Sequence, residues 1–184
     1  MIVKPPLWLN VERRIQSPNA DDRPADVEVN LLVIHNISLP PNEFRGDYVT
    51  QLFTNCLDAS EHPYFLGIAD QRVSAHLYID RAGDTSQFVA LDQRAWHAGV
   101  SNFCGVDACN DYSVGIELQG ADHLPYTDHQ YRQLARLTRV IQQAFPAITK
   151  DRIVGHSDIS PGRKTDPGDA FDWPRYMGTL RDDG

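Results

Sequence analysis

No apolar run in this 184-residue chain approaches the roughly 20 residues that a membrane-spanning helix needs. Basic residues are few beside acidic ones: 17 Lys and Arg stand against 25 Asp and Glu, a formal charge of −8 at pH 7. Phosphate backbones are bound by clustered Lys and Arg, so this balance argues against nucleic acid as the main partner. Cysteine is sparse. Cys56, Cys104 and Cys109 include no Cys-x-x-Cys pair, and an odd, low count fits a reducing compartment better than a disulfide framework. Cys104 and Cys109 lie five apart, without a second close Cys or His pair, and are expected to be buried or half-buried free thiols rather than metal ligands. Internal repeats and low-complexity blocks are missing. A secretory leader is not expected either: Met1–Trp8 is short and broken by Pro5 and Pro6, and Glu12, Arg13 and Arg14 follow. The expected location is the cytoplasm.

What is present fits a soluble globular enzyme, with 41% hydrophobic and 23% charged residues. The length suits one domain with a real core and is short for two. Residues 1–28, rich in Pro and charge, are expected to wrap the surface as an irregular lead-in to a core over 29–180. Asn30–His35 is a continuous apolar run closed by a histidine, which predicts a buried strand delivering His35 at its end. Asp47 is placed to cap a helix running to about Asp58, with Val49, Leu52, Phe53, Cys56 and Leu57 on one face. Residues 59–71 read as loop. Val73–Ile79 and Thr85–Leu91 read as a hairpin around Arg81–Asp84. Residues 94–112 read as a long loop of the kind that carries function.

Ser113–Leu118 reads as a further strand, with Glu117 on the face opposite Val114, Ile116 and Leu118. Thr127 and Gln130 have capping-box form and open a helix that stops before Pro146. Arg152–Gly155 is a short strand ending at His156, and a last helix spans Trp173–Leu180. Strands separated by helices indicate a mixed α/β or α+β fold, a single central sheet with helices packed on it.

Chemistry gathers in Gly155–Gly168, where His156, Lys164 and Asp166 fall in one loop framed by Pro and Gly. With Val33–Asn36 far upstream, this suggests a mononuclear zinc site of two His and one Asp, with the fourth position open as in catalytic sites. Glu117 is placed to move a proton, and Lys164 to stabilise an oxyanion. The residue pattern leaves alternatives open. Asp158 competes with Asp166, and His76 or His97 with His35. A histidine at a strand end can be purely structural, Glu117 could pair with an Arg, and Lys164 could be a solvated loop residue.

A set of motifs narrows these choices. Leu32–Pro41, His62–Phe65, Val73–His76, Arg94–Ser101, Cys109–Asp111, Gly115–Leu118 and His156–Gly168 occur in an order that resembles the N-acetylmuramoyl-L-alanine amidase type 2 superfamily, which includes peptidoglycan recognition proteins and phage T7 lysozyme. The resemblance runs from about residue 31 to 176. It implies a central mixed β-sheet flanked by helices and one Zn²⁺ per chain held by His35, His156 and Asp166. Glu117 becomes the acid/base and Lys164 the oxyanion partner. Asn36, Tyr64, Arg72, Ala95, Trp96 and His97 become substrate contacts, with Arg72 facing a stem-peptide carboxylate. His76 is then structural, and Asp158 braces its loop.

The implied reaction is hydrolysis of the amide joining 1,6-anhydro-N-acetylmuramic acid to L-Ala in cytoplasmic muropeptides, a cell-wall recycling step that also limits β-lactamase induction. The implied partner is that muropeptide, with the chain acting as a monomer. The competing readings are a periplasmic amidase acting on intact peptidoglycan, a peptidoglycan-binding module without catalysis, and a zinc peptidase of other specificity. The chain departs from the family pattern at Val106–Ala108, which lacks an expected Arg, and at Gln119, where an acidic residue is expected.

Overall fold

A computed structural model describes residues 7–180. Its central feature is the apolar run after Asn30, which forms strand β3 (Leu31–Ile37). Five of its seven residues are buried, because neighbours cover both faces. The earlier strands β1 (Arg13–Arg14) and β2 (Ala20–Asp21) lie in the lead-in. Later come β4 (Leu77–Ile79), β5 (Thr85–Gln87), β6 (Arg94–Ala95), β7 (Asn102–Phe103), β8 (Val106–Asp107), β9 (Ser113–Gln119) and β10 (Ile153–Gly155). Six of them form one mixed sheet in the order β1-β5-β4-β9-β3-β10. β3 lies between β9 and β10, parallel to both, and β4 runs parallel to β9 and antiparallel to β5.

Alternation along these strands separates two faces. Leu32, Ile34, Leu77, Ile79, Val114, Ile116 and Leu118 share a core cluster with Tyr131, Leu134, Leu137 and Ile141 of helix α2 (Asp128–Ala144). That helix begins as its sequence predicts: Thr127 Oγ1 accepts from Gln130 N–H, and Gln130 Oε1 accepts from Thr127 N–H, both at 3.1 Å. Helix α4 (Trp173–Thr179) joins the same side through the fully buried Tyr176. The opposite face carries Leu31, Val33, His35, Ser113 and Glu117. Over it lie the short helix α3 (His156–Ile159) and, further along, helix α1 (Tyr48–Phe53) with its own apolar cluster.

Several expectations need correction. The lead-in is not irregular throughout: β1 pairs with β5, and β2 pairs with β6. It is anchored by Arg23, whose guanidinium donates to the carbonyls of Leu91, Asn110, Asp111 and Ser113 at 2.8–3.2 Å. Helix α1 stops at Phe53 rather than near Asp58, because Asn55 turns into the left-handed region at φ +61. Asp47 precedes that helix without capping its N–H groups. Its carboxylate instead accepts from Thr50 Oγ1 at 2.6 Å and from Arg13 at 3.1 Å.

Residues 59–71 contain a 3-10 turn over Pro63–Gly67. The first hairpin strand is regular only from Leu77; before it, Ser74 N–H bonds to Trp96 O and His76 N–H to Gly115 O, both at 3.1 Å, without a continuous ladder. The returning strand stops at Gln87 rather than Leu91. The stretch 94–112 is not a featureless loop. β7 and β8 form a hairpin whose two turn residues, Cys104 and Gly105, both have positive φ, as a type I′ turn demands. Cys104 and Cys56 are exposed rather than buried, and Cys109 alone of the three is buried.

Candidate metal centre and active-site cleft

Parallel strands bring distant side chains to one rim of a sheet. His35 of β3 and Glu117 of β9 are register partners on the same face. β10 lies on the other side of β3, with Gly155 opposite Ile34, so His156 emerges at the carboxyl end of β10 close to His35. The segment after it folds back. Asp158 Oδ2 accepts from Gly155 N–H at 2.7 Å, Ser160 O accepts from the N–H groups of Arg163 and Lys164, and Ser157 N–H bonds to Asp166 O at 3.0 Å. Asp158 therefore braces the loop, and Asp166 is the carboxylate returned to the histidines.

The result is a tight triangle. His35 Nδ1 and His156 Nδ1 lie 3.0 Å apart, and Asp166 Oδ2 is 3.1 Å from each. His156 Nε2 is 3.0 Å from Ala98 O, an atom that only accepts, so Nε2 carries the hydrogen and Nδ1 presents its lone pair. Burial lowers the pKa of His35 to about 4, although its bond to Asp166 works the other way. Two imidazoles and one carboxylate therefore face one point. Tetrahedral zinc, with bonds of about 2.0–2.1 Å, spaces its donors about 3.3 Å apart. The observed spacing and donor types fit such an ion, and among the described residues this is the one such group of three His, Cys, Asp or Glu side chains.

A cavity of about 450 Å³ opens beside the triangle. His156, Asp166, Glu117 and Lys164 all line it. Glu117 Oε2 is buried with no hydrogen-bond partner among the described residues. Burial, and next the Asp166 charge, push the pKa of Glu117 well above the usual range, while Lys164 opposes the shift. Among the described residues no Arg pairs with this carboxyl. Of the remaining candidates, Asn36, Tyr64, Trp96 and His97 line the cavity, whereas Arg72 and Ala95 do not. Arg72 is exposed, although Gln71 and Val73 on either side of it reach the wall. Ala95 is fully buried in the α1-side cluster, because β6 turns that methyl inward.

Asn36 Nδ2 is committed to Asp122 Oδ1 at 2.8 Å and Pro167 O at 3.1 Å. Trp96 is held by its indole N–H to Asp21 Oδ1 at 3.2 Å. His97 stands behind the triangle, with Nδ1 2.9 Å from His35 Nε2. His76 is fully buried, accepts from Gly115 N–H at 3.0 Å, and takes no part in the triangle.

A family described as N-acetylmuramoyl-L-alanine amidase matches residues 25–169 of this chain. The chain belongs to that family. The 1,6-anhydro-N-acetylmuramyl-L-alanine amidase AmpD of Salmonella typhimurium strain SL1344 is 56% identical to it over 169 residues, which is 92% of this chain and 90% of the relative. The enzyme of the same name from Escherichia coli K12 is 54% identical, with 92% of each chain covered. Among solved structures, the crystal structure of a Se-Met AmpD derivative superposes with a TM-score of 0.91 at 53% identity, covering 94% of this chain and 96% of that one. The Escherichia coli amidase AmiD, solved with anhydro-N-acetylmuramic acid-L-Ala-D-gamma-Glu-L-Lys, matches with a TM-score of 0.62 at 25% identity, covering 85% of this chain and 60% of that one. This chain is thus an amidase, a hydrolase of the N-acetylmuramoyl-L-alanine class.

Within this amidase site, sequence reasoning missed Asp122 and His123, which line the cavity, and Ser113, which lies behind it. Asp122 sits 86 residues from the Asn36 it holds, and no local pattern announces such a pair.

Proposed function

We propose that this chain is a zinc-dependent amidase acting on cytoplasmic anhydro-muropeptides as a single-domain monomer. One ion per chain would be held by His35, His156 and Asp166. The substrate would be cut between the lactyl group of 1,6-anhydro-N-acetylmuramic acid and the L-Ala of the stem peptide. The observation that carries this reading is a half-buried Glu117, its buried Oε2 without a hydrogen-bond partner among the described residues, on the same cavity as a triangle of two imidazoles and a carboxylate. The names of the relatives over nine-tenths of the chain supply the substrate class.

When bound, zinc supplies Lewis-acid polarisation and an acidified water. Glu117 takes the proton of the attacking water as its oxygen bonds to the lactyl carbonyl carbon. The same proton passes to the leaving nitrogen as the C–N bond breaks, freeing the peptide amine and a sugar carboxylate. Its raised pKa suits it to the second transfer. Lys164, on the same wall, meets the negative charge that develops on the carbonyl oxygen. Trp96 and Tyr64 offer flat walls for the sugar and the stem, and Asn36 shapes the floor through Asp122. Arg72 and Ala95 are not assigned to that wall. In the cell the reaction would serve cell-wall recycling and so limit β-lactamase induction by the same muropeptides.

Mass spectrometry of products decides the matter. The zinc-loaded protein is incubated with 1,6-anhydro-N-acetylmuramyl-L-Ala-D-Glu-meso-diaminopimelate and, separately, with the reducing-end equivalent. Tripeptide released from the anhydro form alone is the expected result. Equal cleavage of both points to a broader wall amidase. Cleavage of neither, with zinc bound, overturns the catalytic reading in favour of a binding module.

A further inference from the structure

Behind His35 runs a chain of buried polar groups that the hydrolytic reaction does not use. His35 Nε2 is 2.9 Å from His97 Nδ1, His97 Nε2 is 3.1 Å from Ser113 Oγ, and Ser113 Oγ is 2.5 Å from the carbonyl oxygen of Cys109. All four residues are buried. Their hydrogens can be placed in order, starting from the one atom whose role is fixed. The Cys109 carbonyl only accepts, so Ser113 gives it the single hydroxyl hydrogen. Ser113 Oγ then accepts from His97 Nε2–H. A neutral His97 protonated at Nε2 leaves Nδ1 bare, and that lone pair accepts from His35 Nε2–H. His35 Nδ1 is consequently bare where it meets His156 and Asp166.

We propose that Ser113 and His97 are positioning residues that lock His35 in the Nε2–H tautomer, so that its Nδ1 lone pair is already aimed into the metal site before metal arrives. The inference rests on the zinc reading above and extends it beyond the three ligands. Without the lock, the local preference runs the other way. Asp166 Oδ2, 3.1 Å from His35 Nδ1, would draw a hydrogen onto that nitrogen and make it a donor, which cannot bind a cation. Reversing every bond in the chain would deprive the Cys109 carbonyl of its hydroxyl donor, and this opposes the flip. Outer partners of this kind fix ligand tautomer and orientation, and their loss typically weakens metal affinity by about 10- to 100-fold.

The backbone is shaped to admit the His97 ring. Gly115 in β9 faces it, and a Cβ there would lie 2.5 Å from His97 Cγ, closer than any side chain could tolerate. From the other side, Asn110 Oδ1 accepts from the backbone N–H groups of both His97 and Ala98, at 3.1 and 2.8 Å. Asn110 and Cys109 belong to the same 3-10 turn, so that turn sets both the ring and the end of the chain that orders its hydrogens.

The test reads tautomers and metal affinity rather than turnover. Imidazole ¹⁵N shifts of the metal-free full chain should show His35 and His97 both protonated at Nε2. Zinc titration against a competing chelator should then find Ser113→Ala and His97→Phe weakened by about 10-fold or more. His97→Asn, whose side-chain oxygen can stand where Nδ1 accepts, should recover most of that loss. In Ser113→Ala, His35 should shift toward the Nδ1–H form. A wild-type His35 protonated at Nδ1, or wild-type zinc affinity in Ser113→Ala, overturns the lock while leaving the metal site intact. Failure of the wild-type chain to take up zinc overturns the metal reading, and with it the purpose of the lock.

Discussion

Replacing Glu117 with Gln keeps the size of the side chain and removes its ability to carry a proton. In the proposed reaction that carboxyl makes two transfers, and a positioned general acid or base is worth roughly 10²- to 10⁴-fold. At 1.36 kcal/mol per factor of ten, this corresponds to about 3–5 kcal/mol of barrier. Turnover of the anhydro-tripeptide substrate should fall by at least about 100-fold, while zinc content, measured by elemental analysis, stays at one ion per chain. A second readout follows from the site's electrostatics. The folded-state pKa of Glu117 lies above its unfolded value, because burial and Asp166 both disfavour the charged form. The native chain therefore holds this proton as pH rises, and the unfolded chain releases it first. Wild-type stability must fall relative to Glu117→Gln as pH climbs above about 4.3, the usual Glu value. Urea unfolding of both proteins in chelator, at pH 5 and pH 8, measures that difference. Near-wild-type turnover with zinc bound would remove Glu117 from the mechanism. A stability difference unchanged between the two pH values would refute its placement in a low-dielectric pocket beside Asp166.

Other outcomes follow from the same geometry. His35→Ala should lose bound zinc and activity together; a variant retaining stoichiometric zinc would show that His35 is not a ligand. Lys164→Ala should lower kcat more than it raises KM, since its charge matters most once the oxyanion forms, and a pure KM effect would make it a substrate anchor. His76 is buried beside Arg23, and burial first and that charge second lower its pKa from 6.5 to about 3. The unfolded chain takes up this proton earlier as pH falls, so His76 should cost the fold on the order of 4 kcal/mol between about pH 6.5 and 3. His76→Asn, compared by urea unfolding across that range in chelator, should flatten the loss, and an unchanged slope would refute the assignment.

The parts of the molecule legible from sequence are those governed by local rules. The apolar run before His35 and the alternation around Glu117 place those residues in neighbouring strands, and the Thr127–Gln130 pair marks the start of α2. The three proposed ligands were legible as a loop motif joined to a strand end, and they do meet. What escaped depends on tertiary neighbours. Arg72 lies in a motif-rich stretch, but it is exposed and does not line the cavity that Gln71 and Val73 reach. His97, expected as a substrate contact, does line the cavity, but its ring nitrogens also meet His35 and Ser113, partners 62 and 16 residues away that no local pattern announces. The strands of the lead-in could not be anticipated, because each is two residues long and gains its order from a partner more than 70 residues downstream.

That lead-in bears on the order in which the molecule assembles. Arg23 grips carbonyls 68 to 90 residues further along, and Asp21 holds both Arg94 and Trp96. None of these partners exists when the lead-in leaves the ribosome. The lead-in must wait for β9 before it can settle, and β3 must wait longer still for β10, 121 residues away. Closing such long loops delays native pairing and keeps strand edges open in the meantime. The wall of the cleft at Trp96 is thus pinned by Asp21, a residue 75 positions earlier in the chain.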